Sequence, residues 1–390
     1  METATDSRAI GIGILGYGSM GRAHASACLR LPQVFWPPAA RPELVAVCGR
    51  SADRVEDFAR RFGFGHWHRD WRELVADPNV QVFDDAGPND LHEEPCVAAA
   101  QAGKHVLCEK PLARNAGEAW RMLQAVEAAG VRHMCGFVYR FVPAVRVARQ
   151  LIEAGALGRI YHYRARYLQA GAADPATPLR WRHQAEAAGS GALGDVGSHI
   201  IDLARFLVGE PESVQGALAT LIPERNLEQK PGERGPVTSD DAFAAAVTFC
   251  NGAIGTLEAS RVCWGRWNHL EFEVNGEKGS LAFNLERMNE LELYLEEDRR
   301  QGVAGTRTVN CNEPEHPFAA QWWPRHPLGW DALFVHQLQH FLAAVAGRGE
   351  VAPLGATFDD SYRCAVVCDA IASSAATGRR TVVEYKHTKV

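Results

Sequence analysis

The chain has 390 residues, which is too long for one hydrophobic core and predicts two domains. Its formal net charge of −6 argues against a nucleic-acid partner, and no apolar run reaches the ~18 residues that a membrane helix needs. The ten cysteines form no C-x-x-C pair and no histidine spacing completes a zinc set, so we expect a reduced, cytoplasmic protein without a metal ion.

Strand and helix patterns alternate over the first 136 residues. Apolar strands are predicted at 8–16, 44–50, 80–86, 105–109 and 131–137, and helices at 19–31, 51–63, 92–103 and 115–130. Such alternation with short links is typical of a doubly wound parallel sheet. We therefore predict an α/β protein in which residues 1–136 form a Rossmann domain that binds a dinucleotide.

The pattern changes after residue 137. A helix and an alternating strand are followed by closely spaced strands that predict an antiparallel meander over 242–296, and a polar, Pro/Gly-rich stretch at 222–240 predicts a loop. Two helical stretches, 331–347 and 358–377, close the chain. These elements predict an α+β domain over 137–390 with a large, mostly antiparallel open sheet, and leave open whether its final helix packs on the first domain.

A glycine motif follows the first strand and opens the first helix. Gly16, Gly18 and Gly21 in GYGSMG have the G-x-G-x-x-G spacing that provides a tight turn, a close approach of backbone to pyrophosphate and helix–strand packing. The alternative is a glycine-rich turn without a ligand, but the strand–turn–helix context favours a dinucleotide. The motif as a whole is predicted to bind the cofactor, with Tyr17, Ser19 and Met20.

The end of the second strand bears on the choice between NAD and NADP. NAD binding usually requires a carboxylate there, on the ribose 2′-hydroxyl. This chain has Arg50 and Ser51 instead, and its first acid is Asp53. Arg50, helped by Ser51 and Arg54, could stack on adenine or hold a 2′-phosphate, or it could be a solvated residue at a helix start. These residues alone lean slightly towards NADP.

Two further patterns point to proton-transfer chemistry. Glu109 and Lys110 end an apolar strand and are followed at once by Pro111, although buried charges are costly unless they are paired or used. Asp195 and His199 lie four residues apart and so share one face of a predicted helix, where a carboxylate and an imidazole could meet one polar substrate. A surface ion pair at a helix start is an equal alternative, and a metal site lacks a third ligand.

These motifs, taken in order with Gly87-Pro88-Asn89, resemble the Gfo/Idh/MocA oxidoreductases, and stretches such as GFVYRFVPA and QWWPRHPLGW resemble their anhydrosugar, glycoside and cyclitol dehydrogenases. The resemblance implies an NAD(P)-dependent dehydrogenase that oxidises a secondary hydroxyl of a sugar, glycoside or cyclitol, for example C3 of a pyranoside. It favours NAD, with NADP close behind. It also implies a homodimer or homotetramer that pairs through the open sheet.

The resemblance also assigns roles to residues. Lys110 would donate a hydrogen bond to the reacting oxygen, His199 would take the hydroxyl proton, and Asp195 would fix that hydroxyl or its neighbour. Glu109 would help to bind the cofactor, and the bond before Pro111 would be cis.

Further contacts are expected around these groups. Residues near the ribose and nicotinamide would be Ala86, Gly87, Asn89 and His92, although His92 could instead pack locally. Expected contacts of the substrate, or of both ligands, are Tyr139, Arg140, Gln169, Trp181, Arg182 and His326. Arg140 could alternatively form a hinge salt bridge, Trp181 could be a packing residue, and the loop of His326 could contact another subunit.

Two rival functions remain open at this stage. A non-catalytic cofactor-binding sensor on the same fold need not keep Lys110, Asp195 and His199 together. An NADP-dependent aldose reductase or a cofactor-retaining glycosidase would keep the fold but use other chemistry, and its cofactor would resist dialysis.

Overall fold

The computed structural model describes residues 8–228, 230 and 232–386. Strands alternate with helices over the first 141 residues. The strands are β1 (Ala9–Leu15), β2 (Arg41–Cys48), β3 (His66–His68), β4 (Val82–Asp85), β5 (His105–Cys108) and β6 (His133–Cys135). The helices are α1 (Ser19–Val34), α2 (Ala52–Phe62), α3 (Trp71–Ala76), α4 (Glu93–Gln101) and α5 (Ala116–Ala129).

The rest of the chain is richer in strands. Its helices are α6 (Pro143–Glu153), α7 (Ala185–Ala188), α8 (Ser198–Leu207), α9 (Glu296–Arg300), α10 (Ala332–Val345) and α11 (Phe358–Thr377). Its first strands are β7 (Ile160–Leu168), β8 (Pro211–Ala219), β9 (Glu224–Asn226), β10 (Arg234–Pro236), β11 (Ala242–Phe249) and β12 (Ile254–Ser260). They are followed by β13 (His269–Gly276), β14 (Gly279–Asn284), β15 (Glu290–Leu295), β16 (Arg307–Asn310) and β17 (Thr381–Val382).

The chain forms two compact units. The first contains the described residues up to Ala113 together with Gly117–Phe141 and Gly329–Tyr362, and the second contains the remainder. Helix α10 therefore belongs to the first unit, where it packs on α1 with the rings of His24 and Phe334 5.6 Å apart. The sequence-based division at residue 136 leaves this helix with the second domain, because an apolar helix face does not show which distant surface it covers.

The sheet of the first unit is parallel, with strand order β3-β2-β1-β4-β5-β6. Chain order reverses between β1 and β4, and ligands of such sheets bind outside the carboxyl ends of the strands at that point. The predicted doubly wound sheet is confirmed. Strand β3 and helix α3 were not predicted, because three and six residues are too short to show a hydrophobic period.

The second unit is built on a nine-stranded sheet with order β16-β15-β14-β13-β7-β12-β11-β8-β17. Its pairs are antiparallel except for β12 with β7. The mostly antiparallel open sheet is confirmed, but the continuous meander predicted for 242–296 is wrong, because β7 lies between β12 and β13. Hydrophobic alternation identifies strands and does not identify their neighbours.

The stretch predicted as a loop, 222–240, also differs from expectation, because β9 and β10 pair within it as an antiparallel ribbon. Arg225 is fully buried there, and its guanidinium donates to the carbonyl oxygens of Ala172, Asp174 and Thr177. The buried guanidinium of Arg225 thus connects the polar segment 222–240 to the loop after β7. Within the described residues we find no helix whose length and hydropathy would let it span a bilayer.

Candidate active site

The glycine turn lies where the carboxyl ends of β1, β2 and β4 meet. Gly16 has a φ of +107°, and a Cβ on it would lie 2.7 Å from the carbonyl oxygen of Ala86. A Cβ on Gly21 would lie 2.1 Å from the carbonyl oxygen of Gly16. These two glycines are therefore required by the turn and by helix packing.

Gly18 is different, because no atom of the described chain lies within 4 Å of the position of its Cβ. This open space lies at the start of α1, whose first turn has no acidic side chain. The combination of an uncovered backbone and a helix N-terminus fits a pyrophosphate. Tyr17 lies on the other side of the turn, where a Cβ on Gly49 would meet its ring at 2.1 Å.

The end of β2 carries no carboxylate. Arg50 is exposed there, and its carbonyl oxygen accepts a 3.4 Å hydrogen bond from Nε of Arg69. Ser51 is the residue before α2, and Asp53 in the first turn is the first acid. Arg50 and Ser51 therefore directly follow Gly49, which lies against the Tyr17 ring, and Arg54 lies in the first turn of α2.

The turn after β4 is shaped by a buried carboxylate. Oδ1 of Asp85 accepts a 3.0 Å hydrogen bond from the amide of Gly87, and the side chain is fully buried. Burial raises the pKa of Asp85 to about 6, although His92 and the Gly87 amide act in the opposite direction. Asp85 thus holds Ala86 and Gly87 against the glycine turn, and Asn89 follows in a short 3₁₀ turn.

The side chain of His92 contacts the backbone of the turn after β4. Its Nε2 lies 3.2 Å from the carbonyl oxygen of Gly87, and its Nδ1 lies 3.0 Å from that of Pro111. The side chain is fully buried. His92 therefore links the turn after β4 to the turn after β5, which is the local packing role that the sequence left open.

The turn after β5 presents Lys110 on a cis Lys110–Pro111 peptide bond. Lys110 is half-buried, while Glu109 is buried and accepts a 3.2 Å hydrogen bond from the Lys110 amide. A Cβ on Gly136 would lie 2.6 Å from Oε1 of Glu109, so a glycine is needed where β6 ends. At the charged end of this strand, the carboxylate of Glu109 is thus held in place and the amine of Lys110 beside it is more accessible.

A buried ion network behind this strand end was not predicted. Nδ1 of His24 lies 2.9 Å from both carboxylate oxygens of Asp84, and its Nε2 lies 3.1 Å from Oε1 of Glu109. All three residues are at most 4% exposed. Burial alone would lower the pKa of His24, but the charges and hydrogen bonds of Asp84 and Glu109 outweigh it and raise the pKa to about 10. The imidazolium thereby fixes the carboxylate next to Lys110.

Tyr139 and Arg140 lie in a short 3₁₀ helix, Val138–Phe141, and both are buried. Nη2 of Arg140 lies 3.4 Å from Oδ1 of Asp360, where α11 begins. This ion pair is the structural alternative that the sequence left open for Arg140.

In the second unit, Asp195 lies in a π-helical turn, Leu193–Gly197, that continues directly into α8 with His199. The predicted helix is present, but its first turn is wider than an α-helical turn. A Cβ on Gly197 would lie 2.4 Å from the ring of Phe243, so the glycine lets this turn approach β11. Such π turns occur frequently at functional sites.

The start of this helix is held by Asp240, which the sequence analysis did not identify. Its carboxylate accepts hydrogen bonds from the amides of Gly191 at 2.6 Å and Leu193 at 2.8 Å, and it is 7% exposed. Guanidinium nitrogens of Arg261 donate to the carbonyl oxygens of Asp240 and Arg182. Asp240 and Arg261 therefore position the π turn relative to the loop that carries Arg182.

Asp195 and His199 are surrounded by polar groups of the second unit. Oδ2 of Asp195 lies 3.7 Å from Nε of Arg182, whose guanidinium stacks 4.2 Å above the ring centroid of Trp181. His199 is 4% exposed, and its ring lies 5.8 Å from that of Tyr167. The structure thus brings Asp195, Trp181 and Arg182 together.

A cavity of about 180 Å³ opens at this place. Its lining comprises Gln169, Gly171, Ala172, Thr177, Arg180, Arg182, His183, Asp195 and Arg261. Burial, with Arg225 and Arg261 nearby, lowers the pKa of His183 to about 4, so this imidazole is neutral near pH 7. The cavity therefore offers carboxylate, guanidinium and amide groups, which suit a ligand with several hydroxyls.

Gln169 belongs to a hydrogen-bonded group that the sequence analysis recognised only in part. Its Nε2 donates to Oδ1 of Asn268 at 2.7 Å, and the hydroxyl of Tyr167 donates to the same oxygen at 2.5 Å. His326 lies on an exposed loop with its ring 6.2 Å from that of Trp323. The structure does not bring His326 into the lining of this cavity.

Comparison with known proteins extends over both units. Residues 10–137 match the model described as "Oxidoreductase family, NAD-binding Rossmann fold", and residues 145–282 match the model "GFO/IDH/MocA C-terminal domain". Levoglucosan dehydrogenase of Pseudarthrobacter phenanthrenivorans is 42% identical over 380 residues, which are 94% of this chain and 96% of that protein. Myo-inositol 2-dehydrogenase of Thermotoga maritima is 27% identical over 76% of this chain and 80% of its own.

The same similarity holds in three dimensions. The solved structure of levoglucosan dehydrogenase in complex with NADH and levoglucosan has a TM-score of 0.92 to this chain at 42% identity. The match covers 97% of this chain and 100% of the other.

Proposed function

Because the chain belongs to the Gfo/Idh/MocA oxidoreductases, a family with an NAD-binding Rossmann fold, we propose that it oxidises one secondary hydroxyl of an anhydrosugar, a related glycoside or a cyclitol, for example at C3 of a pyranoside. Identity to levoglucosan dehydrogenase extends over nearly the whole of both chains, which supports an anhydropyranose in particular. The observation that carries the proposal is that Lys110, Asp195 and His199 are all present, with Lys110 directly after β5, Asp195 in the lining of the cavity of about 180 Å³ and His199 in the first turn of α8.

The first unit binds the cofactor. The amides at the start of α1 and the open space at Gly18 receive the pyrophosphate, and the turns after β4 and β5 border the nicotinamide. When bound, NAD supplies an acceptor for the hydride. Glu109, fixed by His24, sets the backbone of the cis turn and hence the direction of Lys110.

Three residues handle the substrate hydroxyl. His199 accepts its proton as general base, and Lys110 donates a hydrogen bond to the same oxygen, so that negative charge on it is stabilised as the proton leaves. Asp195 accepts from that hydroxyl or its neighbour while Arg182 helps to orient the carboxylate. Trp181 offers an apolar face to the ring, and Gln169 binds a further hydroxyl.

The proposal is tested by turnover. Polyols, aldoses, glycosides and anhydrosugars, levoglucosan among them, are supplied separately with NAD and with NADP, and the absorbance of reduced nicotinamide is followed. We expect NADH formation with an anhydropyranose. Failure of every sugar in the panel with both cofactors would overturn the proposal. So would a cofactor that stays bound through dialysis while product forms without net reduction, because that result indicates cofactor-retaining chemistry.

We also propose that the open face of the second unit's sheet pairs with a second copy in a homodimer or homotetramer. The face contains a groove of about 720 Å³ lined by small side chains of β11 and β12 between the cations Arg164 and Arg166 and the anions Glu258 and Glu271. Small side chains allow close approach, and charges of both signs make the face self-complementary about a two-fold axis.

None of the ten cysteines, all of them in described segments, forms a disulfide, which supports a reducing compartment such as the cytoplasm.

A further inference from the structure

A group of metal-ligating side chains lies at the edge of the first unit's sheet, apart from the residues assigned above. His66 and His68 are both in β3 and point to the same face because they are two residues apart. Asp77 follows α3, and one ligating atom from each of the three residues lies within 4.8 Å of the others. The sequence analysis found no zinc set because neither H-x-H nor the nine-residue gap to Asp77 matches a standard spacing.

The two ring nitrogens of His68 have different surroundings. Its Nδ1 lies 3.2 Å from Oε2 of Glu73, and this nearby carboxylate favours the tautomer with the proton on Nδ1, which leaves the Nε2 lone pair available. That Nε2 atom is buried and has no hydrogen-bond partner among the described residues. A buried polar atom without a partner is costly, and coordination of a cation would satisfy it.

The side chains of the other two residues, His66 and Asp77, already lie close to each other. Nε2 of His66 lies 2.6 Å from Oδ2 of Asp77, while Oδ1 of Asp77 accepts a 2.8 Å hydrogen bond from the Asn79 amide. Two atoms on one tetrahedral zinc ion lie ~3.3 Å apart, so His66 must withdraw slightly, and its half-exposed ring has room to do so.

We propose that His66, His68 and Asp77 bind one divalent transition-metal ion, Zn²⁺ by preference, with water in the fourth position. Two imidazoles and one carboxylate are a ligand set that Zn²⁺ uses widely. Lys104 donates to the carbonyl oxygens of Asp77 and Val80. Asp77 lies in the segment between α3 and β4, and none of the three ligands is among the proposed cofactor residues. The ion would therefore tie β3 to the segment after α3.

A second group, Asp85, Cys96 and Cys108, has comparable spacing but a different chemistry. Burial raises the pKa of the Cys96 thiol to about 11 and that of the Cys108 thiol well above its ordinary value. Thiolates rather than thiols ligate metals, so burial disfavours metal binding by this group.

The test uses the full chain without a histidine tag, stripped of metal with a chelator and titrated with Zn²⁺ against a chromophoric competitor. We expect one ion per chain, and a rise in Tm of ~3 °C at a hundred-fold excess over the dissociation constant. His68→Gln and His66→Gln should each weaken binding at least ~10-fold, and Glu73→Gln should weaken it ~10-fold through loss of orientation. His162→Ala, which removes a half-buried histidine from strand β7, should bind as the wild type does.

The outcomes decide the proposal without reference to dehydrogenase activity. Sub-stoichiometric binding by the wild type, or unchanged binding by His66→Gln, would overturn it. His66 is half-exposed, so its variant is expected to fold and remains decisive if circular dichroism shows that His68→Gln does not. Loss of binding in both variants, with binding kept in His162→Ala, would support it.

Discussion

Lys110 is the residue from which the proposed chemistry starts. It is held by a cis peptide bond to Pro111 and by the Glu109 carboxylate that accepts from its amide. An amine placed in this way adds little to the binding of the cofactor's pyrophosphate, but it stabilises charge on the reacting oxygen in the transition state. Its removal should therefore affect turnover much more than cofactor affinity.

Lys110→Ala should lower kcat by a factor of about 10² or more. Binding of NADH, followed by its fluorescence, should change by no more than a few-fold. Lys278→Ala, which removes an exposed amine from the turn between β13 and β14, is the control and should leave both quantities unchanged. A Lys110→Ala enzyme with wild-type kcat would remove the lysine from the mechanism.

His24 controls stability at the same strand end. Its pKa in the folded chain, about 10, is above its ordinary value of 6.5, so the stability that it contributes is complete below pH 6.5 and is lost as the pH rises towards 10. His24→Gln removes the cation and leaves Asp84 and Glu109 without it, which should cost about 3–5 kcal/mol near neutral pH.

Chemical unfolding of the wild type and of His24→Gln at several pH values between 6 and 10 measures this contribution. The difference between their unfolding midpoints should be largest at pH 6 and should narrow towards pH 10. A constant difference across the range would show that His24 acts by packing rather than by charge.

At this scale, some candidate site residues lie in local motifs and others do not. Lys110, Asp195 and His199 lie in short local motifs, so the sequence alone proposes them as candidates. His24 meets partners 60 and 85 residues away, and Asp240 lies almost 50 residues from the amides that it accepts from. The sequence does contain one signal for His24. Two adjacent acidic residues in the apolar strand β4 indicate that a buried cation is needed, but they do not indicate which residue supplies it.

Among the elements, the π turn before α8 is the one that positions the residues proposed to bind the substrate. Asp195 lies in the turn and His199 lies just beyond it, so their separation depends on how the turn is held. The Asp240 carboxylate satisfies two amides that the start of a helix would otherwise leave without partners. On the proposed mechanism, function and local stability therefore depend on the Asp240 side chain.

Asp240→Ala should destabilise the second unit by about 1–3 kcal/mol, because two amides lose their acceptor. It should also lower kcat while NADH affinity stays unchanged, because the displaced groups act on the substrate. Asp240→Asn keeps one acceptor oxygen and should restore part of both losses. Equal loss of NADH affinity and of kcat would indicate general unfolding rather than a displaced turn.

Prediction of elements was most successful where a hydrophobic period runs long. Helix α11 begins and ends where its pattern predicts, and the Rossmann strands lie within a few residues of their expected bounds. Strand β3 and the β9–β10 ribbon were missed because three-residue strands show no period. The ribbon depends instead on buried Arg225, whose acceptors lie some 50 residues earlier.

For the whole molecule, the order of strands and the membership of each unit depend on long-range pairing. Sequence alternation predicts an open sheet, but it does not predict that β7 lies between β12 and β13. Similarly, α10 follows the second unit in the chain and packs in the first. The alternating exposure along β11 nevertheless shows which face of the sheet is open, and that face is where we place subunit contact.

Ala246→Arg should disrupt this contact. Ala246 is exposed on β11 and lines the groove, so a long cation there would block close approach of a second sheet. Sedimentation velocity should show a dimer or tetramer for the wild type and a smaller species for the variant, while Ala128→Arg on the exposed face of α5 should sediment as the wild type does. A wild-type chain that sediments as a monomer would contradict the proposed interface.

The central claim is that an amine from one unit and an imidazole from the other act on a single alcohol oxygen. A crystal structure of the full chain with NADH and a sugar substrate measures this directly. We predict that Nζ of Lys110 and a ring nitrogen of His199 each lie within about 3.2 Å of the same substrate oxygen. A bound sugar whose hydroxyls contact only one of these two nitrogens would contradict the account.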